Sequence, residues 1–360
     1  MNIHESTRGY EAWLRRQIKV VPADLRYKHQ QMKVSPFLFL RATFYRWAQL
    51  FQTDCPDPAK APQVLGVGDL HVENFGTWRD AEGRLVWGVN DFDEAHRVPY
   101  TNDLTRLAAS AIFAIQSTGW TITPRKVCEL ILRGYTEYIG RGGAAFVLEE
   151  HHRILRVMAT SALRRPPVFW ERFQAKLTRV SCIPKRARKA LDPIFPTEAK
   201  PRCYVLKKPK GLGSLGHRRY IALADWEGAL IARETKELAP SAWIWARGLK
   251  ENGSLQIEKV MARAIRGHDP FFHVRKGWVA RRLGPQCSRI DLETLDDEHD
   301  ETLLLTAMGS ETANVHCGDP EDLARIRRDL ARRAPNWLYH AATVMVEATS
   351  HDWEQWRARR

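Results

Sequence analysis

No apolar run in the sequence approaches the length needed to cross a bilayer. The opening stretch, MNIHESTRGYEAWLRRQIKV, lacks the apolar core and small-residue cleavage pattern of an export signal, so a cytoplasmic protein is expected. Cysteine is sparse. The 6 residues Cys55, Cys128, Cys182, Cys203, Cys287 and Cys317 are scattered without a C-x-x-C pair or zinc spacing, and a chain of 360 residues is too large to need staples. They are read as reduced thiols. Internal repeats and low-complexity segments are missing, and a composition 44% hydrophobic and 27% charged excludes general disorder. Acidic residues are also few, 42 against 56 Lys and Arg, which gives a formal charge of +14. Such an excess attracts anionic partners: a nucleotide, an acidic protein or lipid, or nucleic acid. Two basic runs concentrate it, Lys176 to Asp192 and Arg325 to Arg333, each helical in pattern with a solvated basic face.

The pattern along the chain predicts an α+β fold in two lobes. Residues 35–54 open on Ser-Pro and continue with helical apolar spacing, which predicts one buried helix. VLGVGDL and RLVWGVNDF are strand-like runs separated by a polar stretch with the turn signal Asp80-Ala81-Glu82-Gly83. Asn102 to Gln116 and Pro124 to Tyr138 read as amphipathic helices. The texture changes near residue 196. CYVLKKPKGLGSLGHRRYIALAD reads as strand, glycine-rich turn and strand, LIARETKEL as a third strand, and FFHVRKGWVARRLG as a hairpin turning at Lys276-Gly277. Ser254 to Arg266 is helical in period, and helices return over 300–349. The expected division is a mainly helical part over 1–195, a small antiparallel sheet with one inserted helix over 196–285, and helices over 286–360 that complete the first part.

Three constellations carry chemistry. In GVGDLHVENFG, Asp69, His71, Glu73 and Asn74 are presented by glycines at a strand end. Asp69 is placed to accept the proton of an attacking hydroxyl, and Asn74 to reach a Mg²⁺ held on nucleotide phosphates. A plain polar turn built on the same Asp and Asn remains open at this point. In VNDFDEA, Asp91 and Asp93 follow an apolar run, and hard divalent cations want such carboxylate oxygens. In KGLGSLGHRRY, Gly211, Gly213 and Gly216 fit G-x-G-x-x-G with Ser214 inside the loop. Because a strand-like segment follows and not a helix, a hairpin whose glycine tip approaches phosphates fits better than a dinucleotide fingerprint. Beyond it, Lys236 ends a strand-like run where it could neutralise phosphates, with Glu258 as its candidate partner.

GDLHVENFG, NDFDEA and NDLTRLAAS resemble the catalytic loop, metal aspartate and following helix of aminoglycoside phosphotransferases and choline-kinase-like enzymes. The series SPFLFLRAT, GDLHVENFG, NDFDEA, LTRLAAS, GLGSLGHRRY and ETKEL resembles more closely a bacterial family known as domain of unknown function 2252, grouped with protein-kinase-like folds. The resemblance spans roughly residues 30–320. It implies a bilobal kinase-like fold, circularly permuted, since the glycine loop and lysine here follow the catalytic loop. The tail segment LLLTAMGSETANVHCG resembles the helix that precedes that loop in aminoglycoside kinases. It further implies ATP and Mg²⁺ as cofactors, Asp69 as base, Asn74 and Asp91 as metal ligands with Asp93 beside them, and Gly211, Gly213 and Gly216 as phosphate loop. Lys236 becomes the phosphate lysine, Glu258 its partner, and His71 and Asp103 residues that brace the loop. Val67 departs from the pattern, because aminoglycoside kinases usually carry His there.

The expected activity is transfer of the ATP γ-phosphate to a hydroxyl of an undefined acceptor. Transfer of AMP on the same fold, a non-catalytic kinase-like module for nucleic acid or an acidic partner, and a hydrolytic metal site on Asp69, His71, Asp91 and Asp93 are the alternatives.

Overall fold

A computed structural model describes residues 1–118, 120, 122–161, 165–208, 211–250, 255–287, 289–290, 292 and 298–358. Four helices open the chain: α1 (Ile3–Gln17), α2 (Pro22–Gln31), α3 (Pro36–Ala42) and α4 (Phe44–Asp54). Asn2 and Glu5 cap α1 reciprocally, and the Ser-Pro signal starts α3, with Ser35 Oγ accepting the Leu38 N–H at 3.2 Å. The single helix expected over 35–54 is therefore two. The chain leaves helical geometry at Thr43 (φ −125°, ψ 39°), whose hydroxyl turns back to the Phe39 carbonyl at 2.7 Å.

Next come β1 (Gln63–Gly66), β2 (Phe75–Arg79), β3 (Leu85–Val89) and β4 (His96–Pro99). The two expected strand runs do not pair with each other. β1 pairs with β4, and β2 with β3 across the Asp80–Gly83 turn, where Gly83 adopts φ 75°. Helices α5 (Tyr100–Thr118) and α6 (Pro124–Arg141) follow where the apolar spacing predicts them, and β5 (Phe146–Val147) adds to β3. After α7 (Arg153–Ser161) and α8 (Pro166–Gln174), the basic run Lys176 to Asp192 is not helical throughout. Its start forms β6 (Leu177–Arg179), and helix α9 (Lys185–Leu191) begins only once Pro184 has been passed.

The third and largest sheet contains β7 (Arg202–Leu206), β8 (Arg219–Trp226), β9 (Ala229–Glu237), β10 (His273–Arg275) and β11 (Trp278–Leu283). All pairs are antiparallel, in the order β10-β11-β9-β8-β7-β6, so β6 extends the sheet from before residue 196. Between β9 and β10 lie α10 (Ala242–Ala246) and α11 (Ile257–Arg263); Ser254, where a helix to Arg266 was expected to start, lies outside the described residues. Strand alternation sorts this sheet's side chains. Ala222, Trp278 and Ala280 pack under α9, whereas Ile221, Leu223 and Ala232 on the opposite face meet Trp170 and Phe173 of α8.

The chain closes with α12 (Glu298–His316), α13 (Pro320–Leu330) and α14 (Trp337–Ala358). In the second basic run Arg333 does not sit on a solvated face. Its side chain is only 8% exposed and pairs with Asp329 and Asp57. The α+β class holds, all 6 thiols are free, and among the described residues no helix is long and apolar enough to cross a membrane.

The main core joins α4, α5, α6, α12 and α14 to β1 and β3. α6 and α12 approach to backbone contact because Gly134 and Gly309 each face a carbonyl of the opposite helix. A Cβ on Gly134 would strike the Thr306 carbonyl, and one on Gly309 the Ile131 carbonyl. Gly309→Ala should therefore destabilise by about 1–3 kcal/mol. Gly140→Ala, on α6 with open space around it, should be neutral or stabilising by up to about 1 kcal/mol. Urea unfolding of the two variants checks this, and equal effects would contradict the backbone contact.

Candidate functional site

The acid-rich loop leaves β1 at Gly66, and its backbone is held from below by α5. Asp103, fully buried in the first turn of α5, accepts the N–H of Val67 at 2.6 Å and of Gly68 at 3.0 Å. Asn102 donates to the Gly68 carbonyl at 3.1 Å and is itself fixed by the Trp47 indole N–H at 3.0 Å. Gly68 adopts φ 80°, a conformation that favours glycine, and the Glu94 carbonyl crowds the place a Cβ would take. Asp103 thus holds the backbone of the loop from α5. A residue far along the chain joins this setting: His316 Nε2 lies 3.1 Å from Asp103 Oδ2, and its Nδ1 lies 2.9 Å from the Tyr135 hydroxyl.

Asp69 is gripped by Arg106, whose Nε donates to Oδ1 at 2.8 Å and whose Nη2 reaches the same oxygen. Arg106 has no solvent exposure, packs against the rings of Phe44 and Trp47, and also donates to the Leu40 carbonyl at 2.8 Å. Burial raises the Asp69 proton affinity, the Arg106 guanidinium opposes that, and the net displacement is upward. His71 caps the short turn Val72–Asn74 by accepting the Glu73 N–H at Nδ1 (3.2 Å), and Asn74 Oδ1 accepts the His71 N–H at 2.7 Å. His71 thus ties the ends of this turn together. Asn74 Oδ1 thereby spends one of its two lone pairs inside the turn.

The carboxylates after β3 take different roles. Asp91 faces the cavity with its side chain 36% exposed, and Lys236 and Arg281 hold it below the usual range although burial pushes the other way. Asp93 pairs with the Lys236 ammonium, and burial with the neighbouring Asp91 raises it to about 6. Asp91 and Asn74 offer the oxygen donors Mg²⁺ prefers, whereas the Asp93 carboxylate is turned to Lys236; among the described residues no 3 His, Cys, Asp or Glu cluster as a metal site by themselves. Glu258 is not the partner of Lys236. The inward residues of α11 are Ile257 and Val260, which leaves Glu258 exposed, and Asp93 and Asp91 supply the countercharge.

Alternation along the strands puts Lys236, Glu234, Arg219 and Arg281 on one face of the sheet. Glu234 binds Arg219 at 3.0 Å and Arg281 at 2.9 Å, and against the effect of burial these guanidiniums hold it down at about 2. The glycine loop is not a free hairpin tip. It folds as consecutive turns (Ser214 N–H to the Gly211 carbonyl, 3.1 Å; His217 N–H to the Ser214 carbonyl, 3.1 Å), with Leu212 and Leu215 buried among Ile3, Met32, Phe39 and Trp356. Gly211 and Gly216 adopt φ 78° and 104°. Buried Lys28 donates to the Gly213 carbonyl at 3.0 Å, and Arg219 to Ser214 Oγ at 3.0 Å.

The loop comes down on the acids. A Cβ built on Gly213 would lie 3.1 Å from Asp69 Oδ2, the carboxylate oxygen that Arg106 leaves open. One cavity of about 560 Å³ is lined by Asp69, His71, Asn74, Asp91 and Asp93 on one side and by Gly211, Gly213 and Ser214 on the other. Lys236 stands just behind it, buried. Sequence reasoning missed Arg106, Lys28, His316, Arg219 and Arg281. Arg106 was visible as the one basic residue in the apolar helix NDLTRLAASAIFAI, and Arg219 and Arg281 follow from strand alternation once the register opposite Lys236 and Glu234 is known.

Residues 16–192 match the model of a protein family described as "Uncharacterized protein conserved in bacteria (DUF2252)", which supports the resemblance to it. The match takes in the acid loop, Asp91, Asp93, Asp103 and Arg106 and stops before the glycine loop. No curated protein and no solved structure matches the chain.

Glu94, on the cavity wall, accepts the Ala242 N–H at 2.6 Å. Burial, with Asp69 and Asp93 adding, raises it to about 8. The folded chain therefore binds this proton more tightly than the unfolded one. The resulting stabilisation is complete below the ordinary carboxylate range and is lost as pH rises toward 8. Glu94→Gln, which keeps an acceptor for Ala242, should gain stability relative to wild type as pH climbs from 5 to 9. Urea midpoints across that range test it, and a difference independent of pH would refute the assignment.

Proposed function

We propose that the chain is an ATP- and Mg²⁺-dependent phosphotransferase on a circularly permuted, kinase-like bilobal fold, moving the γ-phosphate to a hydroxyl. The observation that carries this reading is the meeting of Gly213 with the open oxygen of Asp69, two groups remote in sequence that share one cavity. The strand order β7-β8-β9-β11-β10 adds support. It sets the glycine loop between β7 and β8, Lys236 on β9, and helices α10 and α11 between β9 and β10, the arrangement kinase chemistry uses. The permuted connection is supported by α12, whose terminal His316 reaches Asp103 beneath the acid loop.

Each residue then has a part. Asp69 Oδ2 takes the proton of the acceptor hydroxyl as its oxygen bonds to the γ-phosphorus and the bond to the β,γ-bridging oxygen breaks, leaving ADP. Arg106 fixes the carboxylate so that Oδ2, and not Oδ1, meets the hydroxyl. Asn74 and Asp91 would hold Mg²⁺, which when bound supplies charge neutralisation on the phosphate oxygens. Lys236 and Arg219 neutralise phosphates from the sheet side, while Arg281 and Glu234 hold that face in place. Positioned charge of this kind supplies most of the acceleration in phosphoryl transfer.

Asp69→Asn should lower Mg²⁺-dependent ATP turnover by at least about 10²-fold while nucleotide affinity changes by less than about threefold. ATP labelled at the γ-position should pass label to product, and ATP labelled at the α-position should leave it in ADP. Failure of the wild-type chain to bind ATP with Mg²⁺ would sink the proposal, and retention of the α-label on product would replace it with AMP transfer.

A further inference from the structure

Beside Asp69 the cavity wall carries two arginines that share one carboxylate. Arg41 and Arg289 line it and meet at Glu73, while Arg106, buried behind it, is committed to Asp69. Arg41 Nη2 lies 2.9 Å from Glu73 Oε2, and Arg289 Nη1 pairs with that same oxygen, so one carboxylate oxygen serves two guanidiniums. Arg41 closes α3 with a side chain 13% exposed, its guanidinium 5.5 Å from the Phe37 ring centre. Its Nε is buried without a hydrogen-bond partner among the described residues. A desolvated guanidinium with a donor unmet is costly, and an oxyanion delivered from the cavity relieves that cost. His71 registers the same crowding: burial first, then Arg41, Arg106 and Arg289, hold its ring well below the ordinary imidazole range.

The nucleotide phosphates have separate cations, because Lys236 and Arg219 belong to the sheet side, whereas Arg41 and Arg289 meet at Glu73 on the acid loop. Glu73 sits beside Asn74 on the loop that carries Asp69, yet Asn74 is buried within the turn while the Glu73 side chain is 28% exposed at the cavity. Resting on the phosphotransferase reading, we propose that Arg41 and Arg289 seat an anionic group of the acceptor, a phosphate or carboxylate on the hydroxyl compound, in the place Glu73 holds in the free chain. The acceptor class is thereby a small anionic alcohol, such as a phosphorylated or carboxylated polyol, and not a neutral sugar or an aminoglycoside cation. A planar guanidinium fork recognises either oxyanion in bidentate fashion, and two forks converging on one carboxylate oxygen are already oriented for it.

The test titrates inorganic phosphate, and separately malonate, into the full chain with and without saturating Mg²⁺–ADP, reading binding by calorimetry. Wild type should bind both anions in the loaded state. Arg289→Ala should weaken them at least tenfold while Mg²⁺–ADP affinity stays within twofold, and Glu73→Gln, which removes the competing carboxylate, should tighten them severalfold. Because Arg289 is half-exposed, its truncation leaves the fold intact, and circular dichroism and the thermal midpoint of each variant verify this. Anion affinities unchanged in both variants overturn the seat. An equal loss of anion and Mg²⁺–ADP affinity in Arg289→Ala also overturns it, by assigning the pair to the nucleotide. If the wild-type chain binds no Mg²⁺–ADP, the phosphotransferase reading falls, and the nucleotide-free titrations still decide whether the arginines hold an anion.

Discussion

The buried carboxylate of Asp103 is the constraint on which the site depends. It takes the amides of Val67 and Gly68 at once and meets His316, so it fixes the path of the backbone immediately before Asp69. A peptide segment that presents polar side chains to a cavity cannot use strand pairing to satisfy its own amides, and an inward carboxylate answers that need. With the backbone set, Arg106 can meet Asp69 from α5, and the short turn capped by His71 delivers Asn74 to the same cavity. Loop, turn and helix are consequences of one desolvated acid with all its neighbours in place.

The opposite wall is organised by charge. Lys236, Arg219 and Arg281 would repel one another on a single sheet face without Glu234 between the arginines and Asp93 against the lysine. These pairs are weak evidence of stability, since desolvating each ion offsets much of the attraction. Their effect is on position: cations stay pinned above Asp91, at the height where the glycine loop crosses. The loop is pinned as well, through Leu212 and Leu215 in the apolar cluster of the first helices and through Lys28 on the Gly213 carbonyl.

Much of this was legible in the residues. Motifs that combine glycine with Asp, Asn and Lys announce themselves because few backbones tolerate them, and the strands and helices bearing them were readable from their period. What escaped had physical reasons. Thr43 breaks a run whose apolar spacing continues unbroken through it, because its hydroxyl and dihedral angles, not its hydropathy, decide the kink. Residues 177–179 form a strand by pairing with β7, a tertiary gain that no local pattern in a basic run reveals. Glu258 was assigned to Lys236 by its place on a helix, without its rotation about the helix axis, and that rotation turns it outward. The mutual approach of Gly213 and Asp69 could be argued from the motifs as a requirement and measured only in three dimensions.

The His316–Asp103 contact joins residues separated by 213 positions. During synthesis, Asp103 and the loop above it emerge long before the histidine that completes their setting. A nascent chain must therefore carry a buried acid short of its companion until the ribosome has delivered α12, and loops this long close slowly. The setting of the acid loop is therefore completed only by a helix whose last residue, His316, leaves the ribosome 213 residues after Asp103.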